Sequence, residues 1–126
     1  MAVGREIAAM LQAPQTLILR GDLGAGKTTL VKGIAAGMGL ADAAEVTSPT
    51  FTLVHEYGGL FHLDLYRLEK ERELDALGLD EMMLDAVVLV EWGEKFPSLV
   101  ARADGEITIA HGGGDARVIT LAQHPR

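Results

Sequence analysis

Apolar residues along this chain change period several times, and each change marks an element. Val3, Ile7, Met10 and Leu11 recur at helical spacing and predict a short amphipathic helix ahead of Pro14. Residues 16–20 form a short apolar, β-prone run, and residues 28–38 read as a helix with Gly39 as its stop. Residues 41–50, with Asp42, Thr47, Ser48, Pro49 and Thr50, predict a polar connection ending in an extended Ser-Pro step. Residues 51–57 and 60–66 flank Gly58-Gly59, a favoured two-residue hairpin turn. That turn pairs Tyr57 with Leu60, His55 with His62 and Leu53 with Asp64. Alternation then puts His55, His62 and Asp64 on one face, and Val54, Phe61, Leu63 and Leu65 on the other, which is expected to be core.

The second half continues in the same style. Residues 69–76 predict a charged helix with Leu74 and Leu77 as its buried stripe, interrupted by Gly78, and residues 80–84 resume as a helical turn. Residues 87–90 are a buried strand ending in Glu91, and residues 107–110 and 117–121 flank Gly112-Gly113-Gly114 as a terminal hairpin. The order predicts a single α/β domain over residues 1–126. Its form is a P-loop, three-layer fold with a mixed parallel and antiparallel sheet and a ligand site at the carboxyl ends of the parallel strands.

Composition narrows the class. With 48% hydrophobic and 23% charged residues in 126, the chain has the make-up of a soluble globular protein. Its apolar run at residues 86–90 is far too short to span a bilayer, and no basic region precedes a signal-type apolar core. The absence of cysteine excludes disulfides, thiolate metal sites and a cysteine nucleophile, and fits a cytoplasmic address. A net charge of −7 with 11 scattered basic residues argues against tight direct binding of RNA or DNA. The same charge suits docking onto a basic face of another protein.

The chemistry concentrates in residues 21–28, Gly-Asp-Leu-Gly-Ala-Gly-Lys-Thr, a complete G-x-x-x-x-G-K-[ST] loop between strand and helix. Asp22, Leu23, Gly24, Ala25 and Gly26 make up the phosphate-binding loop, whose glycines let successive backbone N–H groups converge on a phosphate, and the helix dipole adds positive potential. Lys27 would reach the outer phosphates, and the hydroxyl of Thr28, followed by Thr29, would ligate Mg²⁺. The pattern predicts nucleoside triphosphate binding. Glu91, at the end of an apolar run, matches a Walker-B carboxylate, with solvation of a strand end as the plainer reading. Asp64 needs a metal or a salt bridge to Arg67 to sit in a buried strand. Thr47, Ser48 and Thr50 lie where a switch-like loop would bring a hydroxyl or carbonyl to the metal and γ-phosphate. Trp92, the only tryptophan, follows Glu91 as a core or interface anchor; a zinc pair of His55 and His62 is disfavoured without cysteine. Arg67 and Arg72 are candidate phosphate contacts, with surface ion pairing the plainer fate of Arg72. No asparagine exists, so the Asn-Lys-x-Asp guanine reader is excluded.

Residues 21–29, 47–51 (Thr-Ser-Pro-Thr-Phe), 62–68 (His-Leu-Asp-Leu-Tyr-Arg-Leu) and Glu91-Trp92, in that order, resemble the TsaE family, formerly YjeE. These are the ATPase components of bacterial tRNA threonylcarbamoyladenosine synthesis. The resemblance implies a cytoplasmic, Mg²⁺-dependent ATPase, slow alone and stimulated by its partners, acting with the TsaB–TsaD pair, which holds the tRNA. It implies that Thr28, Asp64 and Glu91 surround magnesium, that residues 47–50 form the switch-like loop, and that Lys27, Asp64, Glu91 and Thr50 serve catalysis. It implies no direct contact with DNA or membrane. Two departures stand out: the opening helix starts abruptly at Val3, suggesting a missing strand or cap, and the Gly58-Gly59 turn is tighter than in relatives. A small metabolite kinase and a non-hydrolysing nucleotide switch are the competing readings.

Overall fold

A computed structural model of the chain describes residues 2–21, 24–40, 44–46, 53–111 and 117–123. The elements run α1 (Ala2–Met10), β1 (Gln15–Gly21), α2 (Gly24–Gly37), β2 (Ala44–Val46), β3 (Leu53–Glu56), β4 (Leu60–Asp64), α3 (Glu71–Ala76), α4 (Leu79–Asp85), β5 (Val87–Glu91), a 3-10 turn at Gly93–Lys95, α5 (Pro97–Arg102), β6 (Gly105–His111) and β7 (Arg117–Gln123). One seven-stranded sheet takes the order β2-β3-β4-β5-β1-β6-β7. Its centre is parallel: β5 and β6 flank β1, and β4 lies beside β5. Its edges are antiparallel, β2 and β3 on one side and β7 on the other. The expected α/β fold with a mixed sheet is present. From β1 the chain builds one side of the sheet first and crosses to the other side with β6, so a crevice opens at the carboxyl end of β1.

Alternation along the central strands divides the core into two layers. Leu17 and Leu19 of β1, Leu60 of β4, Val87 and Leu89 of β5 and Ile107 of β6 pack with Ile7 of α1 and Leu30, Val31 and Ile34 of α2. On the opposite face Leu63, Val88 and Val90 pack with Leu74, Leu79 and Leu99 of the later helices. Every residue of β5 is buried, which explains its uninterrupted apolar run: a parallel strand between two helical layers has no solvent face to mark. Among the described residues no helix is long and apolar enough to cross a membrane.

The hairpin forms with the expected register, Leu53 opposite Asp64 and His55 opposite His62, and Tyr57 N–H donates to Leu60 O at 2.8 Å. Gly58 and Gly59 hold φ of 74° and 103°, which a two-residue hairpin turn of this kind demands. The polar face of β4 departs from expectation. His62 is 6% exposed, because that face continues from Leu60 into the α1–α2 layer. Both faces of the strand are core. Two further readings are corrected: β2 interrupts the connection read over 41–50, and Met10 is exposed while Ile7 and Ala8 are buried. The expected terminal hairpin forms, with β6 antiparallel to β7, and β6 also joins β1 in parallel. Glu73 accepts the N–H groups of Glu69 and Lys70 at 3.1 and 3.0 Å, closing the start of α3 and holding its carboxyl below the usual range.

Gly105 lies between Leu17 of β1 and Gln123 of β7, where a side-chain carbon would press on the Ala122 carbonyl oxygen. Gly105→Ala is expected to destabilise the fold by about 1–3 kcal/mol through this overpacking of backbone on backbone. Urea unfolding checks it; an unchanged midpoint at unchanged slope would contradict the close approach.

Candidate functional site

Three elements converge at the carboxyl end of the parallel centre. Glu91 closes β5 and stands in register with Leu19 of β1 on one side and Asp64 of β4 on the other. Following Val87 and Leu89, its side chain points to the α1–α2 layer. Helix α2 begins at Gly24, shortly after β1 ends at Gly21, so Lys27 falls on its opening turn and faces the same crevice. The result is a dry polar contact. Lys27 Nζ is 3.6 Å from Glu91 Oε1, with side chains 6% and 7% exposed. Glu91 Oε2 lies 2.7 Å from His62 Nε2. A carboxylate can only accept, so the imidazole Nε2 carries the hydrogen of that bond.

Aromatic residues form the wall. Lys27 Nζ stands 5.5 Å from the Trp92 ring centroid, within cation–π range. Trp92 has φ of 66°, a left-handed conformation that costs a bulky residue about 1–3 kcal/mol and persists only where surrounding structure imposes it. Trp92 is 39% exposed, and its ring leans on Tyr66 at 5.2 Å and 58°. Lys95, in the 3-10 turn that follows, donates to Tyr66 O at 2.8 Å and Leu68 O at 2.5 Å, clamping the turn after β4. Asp64 Oδ1 accepts Tyr66 N–H at 3.0 Å within that turn.

These elements enclose a cleft of about 410 Å³ lined by Arg20, Gly21, Lys27, Trp92 and Glu94. Arg20 is drawn off by Glu106, with Nη2 at 2.7 Å and Nε at 2.8 Å from the same oxygen. Glu94 Oε1 is buried and has no hydrogen-bond partner among the described residues. Lys27, held on Glu91, and Glu94 thus both border the cleft.

Of the residues singled out by sequence, Lys27 and Glu91 meet directly, and Asp64 is Glu91's register neighbour. Thr29 lies exposed on α2. Asp22, Leu23, Thr47, Ser48 and Thr50 lie outside the described residues, as do the side chain of Thr28 and the surroundings of Gly24, Ala25 and Gly26. Arg67 and Arg72 are exposed. His55 stacks on His62 at 6.0 Å and 22°, and among the described residues no group of three His, Cys, Asp or Glu side chains could hold a metal ion by themselves. Sequence reasoning missed the use of His62, though its place two residues before Asp64 on one face carried the signal. It also missed Glu94 and Lys95, whose positions depend on a turn with no periodicity.

Residues 1–119 match the profile of the family described as threonylcarbamoyl adenosine biosynthesis protein TsaE. The chain belongs to the TsaE family. The relative from Bacillus subtilis, named tRNA threonylcarbamoyladenosine biosynthesis protein TsaE, is 42% identical over 125 residues, covering 95% of this chain and 77% of its own. The relative of the same name from Haemophilus influenzae is 44% identical over 108 residues, 82% of this chain and 66% of its own length. The crystal structure of Bacillus subtilis YdiB superposes with a TM-score of 0.70 at 34% identity, covering 97% of this chain and 76% of that one. Family membership and this likeness agree with the P-loop fold.

The Lys27–Glu91 contact is expected to couple the two residues energetically. Breaking a buried pair on one side leaves the other charge uncompensated. A double-mutant cycle of Lys27→Met and Glu91→Gln, followed by urea unfolding, should return a coupling of about 1–3 kcal/mol. Additive effects would show that the two groups do not interact.

Proposed function

We propose that this TsaE-family chain binds ATP with Mg²⁺ in the cleft between β1, β5 and α2, hydrolyses it slowly, and serves threonylcarbamoyl modification of tRNA adenosine next to the anticodon. One observation carries the reading: a lysine on the opening turn of α2 is buried against the carboxylate that ends the adjacent parallel strand, beside an open cleft. A phosphate chain entering there meets helix N–H groups, a positive dipole end and the Lys27 ammonium together. Lys27 rests on Glu91 and the Trp92 ring. A triphosphate, with several negative charges, outcompetes one carboxylate for that ammonium.

The residues present fit magnesium. This cation is usually held by one or two carboxylates with phosphate oxygens and waters, so a full protein cage is not required. Asp64 and Glu91 are in-register neighbours on adjacent strands, and with the Thr28 hydroxyl they would hold it. When bound there, the ion would neutralise β- and γ-phosphate oxygens. Lys27 would orient the outer phosphates, and Trp92 and Tyr66 would shield one side from water. Catalytic roles for Lys27, Asp64, Glu91 and Thr50 belong to this reading.

Completing the charge at the γ-phosphate, or closing the site, falls in this reading to an outside group, and the proposed source is the TsaB–TsaD pair. The net charge of −7 suits a basic docking face, with tRNA held by the partners in the cytoplasm. A metabolite kinase would instead consume ATP only with an acceptor and without free phosphate.

Two outcomes test the proposal. Lys27→Ala should abolish ATP binding in isothermal titration while unfolding stays cooperative; wild-type affinity would remove Lys27 from the phosphate site. Phosphate release by the isolated chain should be slow, rising with TsaB–TsaD by as much as about 10³–10⁵ if a partner arginine is supplied. The stimulation should weaken with salt. Equal release with and without bound partners would overturn the partner-completed mechanism.

A further inference from the structure

The imidazole of His62 has no place in the phosphate-binding scheme, yet it is 6% exposed and makes the shortest contact to Glu91. A glutamate at a strand end has a terminal torsion with a broad, roughly two-fold preference, so its oxygens exchange easily unless something holds the carboxyl plane. Here the two oxygens are divided. Oε2 accepts the His62 Nε2 hydrogen at 2.7 Å, and Oε1 is left facing Lys27 Nζ at 3.6 Å. His62 is itself fixed on the scaffold: it sits mid-strand in β4, between Leu89 of β5 and His55 of β3, whose ring stacks on it at 6.0 Å. A histidine needed only for packing would not have to spend its donor on a carboxylate of the cleft, and an apolar residue would cover Leu60 and Leu89 as well.

We infer that His62 is a positioning residue: through its Nε2–H it locks the Glu91 carboxylate so that one oxygen alone is presented to Lys27 and to the contents of the cleft. The inference rests on the nucleotide reading for its catalytic consequence, though not for its geometry. Gln places an N–H donor close to the position of the imidazole Nε2, whereas Asn is too short to reach Glu91 from the same backbone.

The experiment compares His62→Gln with His62→Asn in the full chain, using Glu91→Gln as reference. The first readout needs no nucleotide: the Lys27–Glu91 coupling from urea unfolding is measured in each His62 background. It should match the wild-type value in H62Q and depart from it in H62N, where the carboxylate is free to turn. The second reads the site: ATP affinity with and without Mg²⁺, from the fluorescence of Trp92, the only tryptophan, together with partner-stimulated phosphate release. H62N should lose about 10–100-fold in turnover, as removal of an orienting partner does elsewhere, with metal-free ATP affinity within about twofold of wild type. H62Q should recover most of that loss. Equal behaviour of H62Q and H62N, in coupling or in turnover, would overturn the positioning role. If the coupling follows the donor but Glu91→Gln leaves turnover and Mg²⁺ dependence untouched, the geometry stands and the nucleotide reading of Glu91 falls.

Discussion

A buried ammonium and a buried carboxylate can share a protein interior only if each meets the other in a fixed geometry, and Lys27 and Glu91 impose that condition on the whole chain. Their side chains are only 6% and 7% exposed, so protein groups supply most of the compensation each charge needs. Satisfying them requires β5 to lie in parallel beside β1, with Leu19 level with Glu91, and requires α2 to begin directly after β1. The register is what keeps Glu91 on the α1–α2 side, since a slip of one residue would send it to the α3–α5 side. The layer that buries Ile34 and Leu89 is thus also what aims the lysine and the acid at one cleft.

The surrounding charges are arranged to keep that contact available. Arg20, which also lines the cleft, is held by Glu106 on β6. Trp92 completes the wall at the expense of a left-handed backbone, and Lys95 ties the turn containing Tyr66 to the segment that carries Trp92. Strain at a residue touching the cleft, supported by a neighbouring clamp, is the pattern of a site held in shape by its surroundings. Because Trp92 and Tyr66 are both partly exposed, the same wall that borders Lys27 is open to a partner.

Much of this was legible in the residues, for physical reasons that differ from element to element. The Gly58-Gly59 turn fixes its own register, so the pairing of His55 with His62 followed from two glycines. Strand β5 could be read from its apolar run because it is covered on both faces. Harder was the polar face of β4. Alternation shows which side chains share a face and not what lies above it, and α2 with its layer covers a face that reads as polar. The edge strand β2 has three residues and no period of its own, and the parallel placement of β6 is a long-range choice that local pattern does not encode. Lys27 and Glu91 were visible through the loop pattern and the strand-end acid. His62, Glu94 and Lys95 depended on three-dimensional proximity.

That asymmetry has a consequence for how the site works. The groups legible in sequence are those that touch phosphate or metal in the proposed reading, and their residue types follow from the chemistry. The groups that sequence hides are those that hold them: His62 on Glu91, Glu106 on Arg20, Lys95 on the turn beyond Asp64. A lysine and a glutamate 3.6 Å apart in a dry interior attract strongly but without direction, and attraction alone would let the carboxylate swing. Direction comes from the shorter bond, at 2.7 Å, made by a side chain anchored mid-sheet. The rigid parallel centre therefore acts on the cleft twice, once by placing Glu91 and again, through the neighbouring strand, by orienting it.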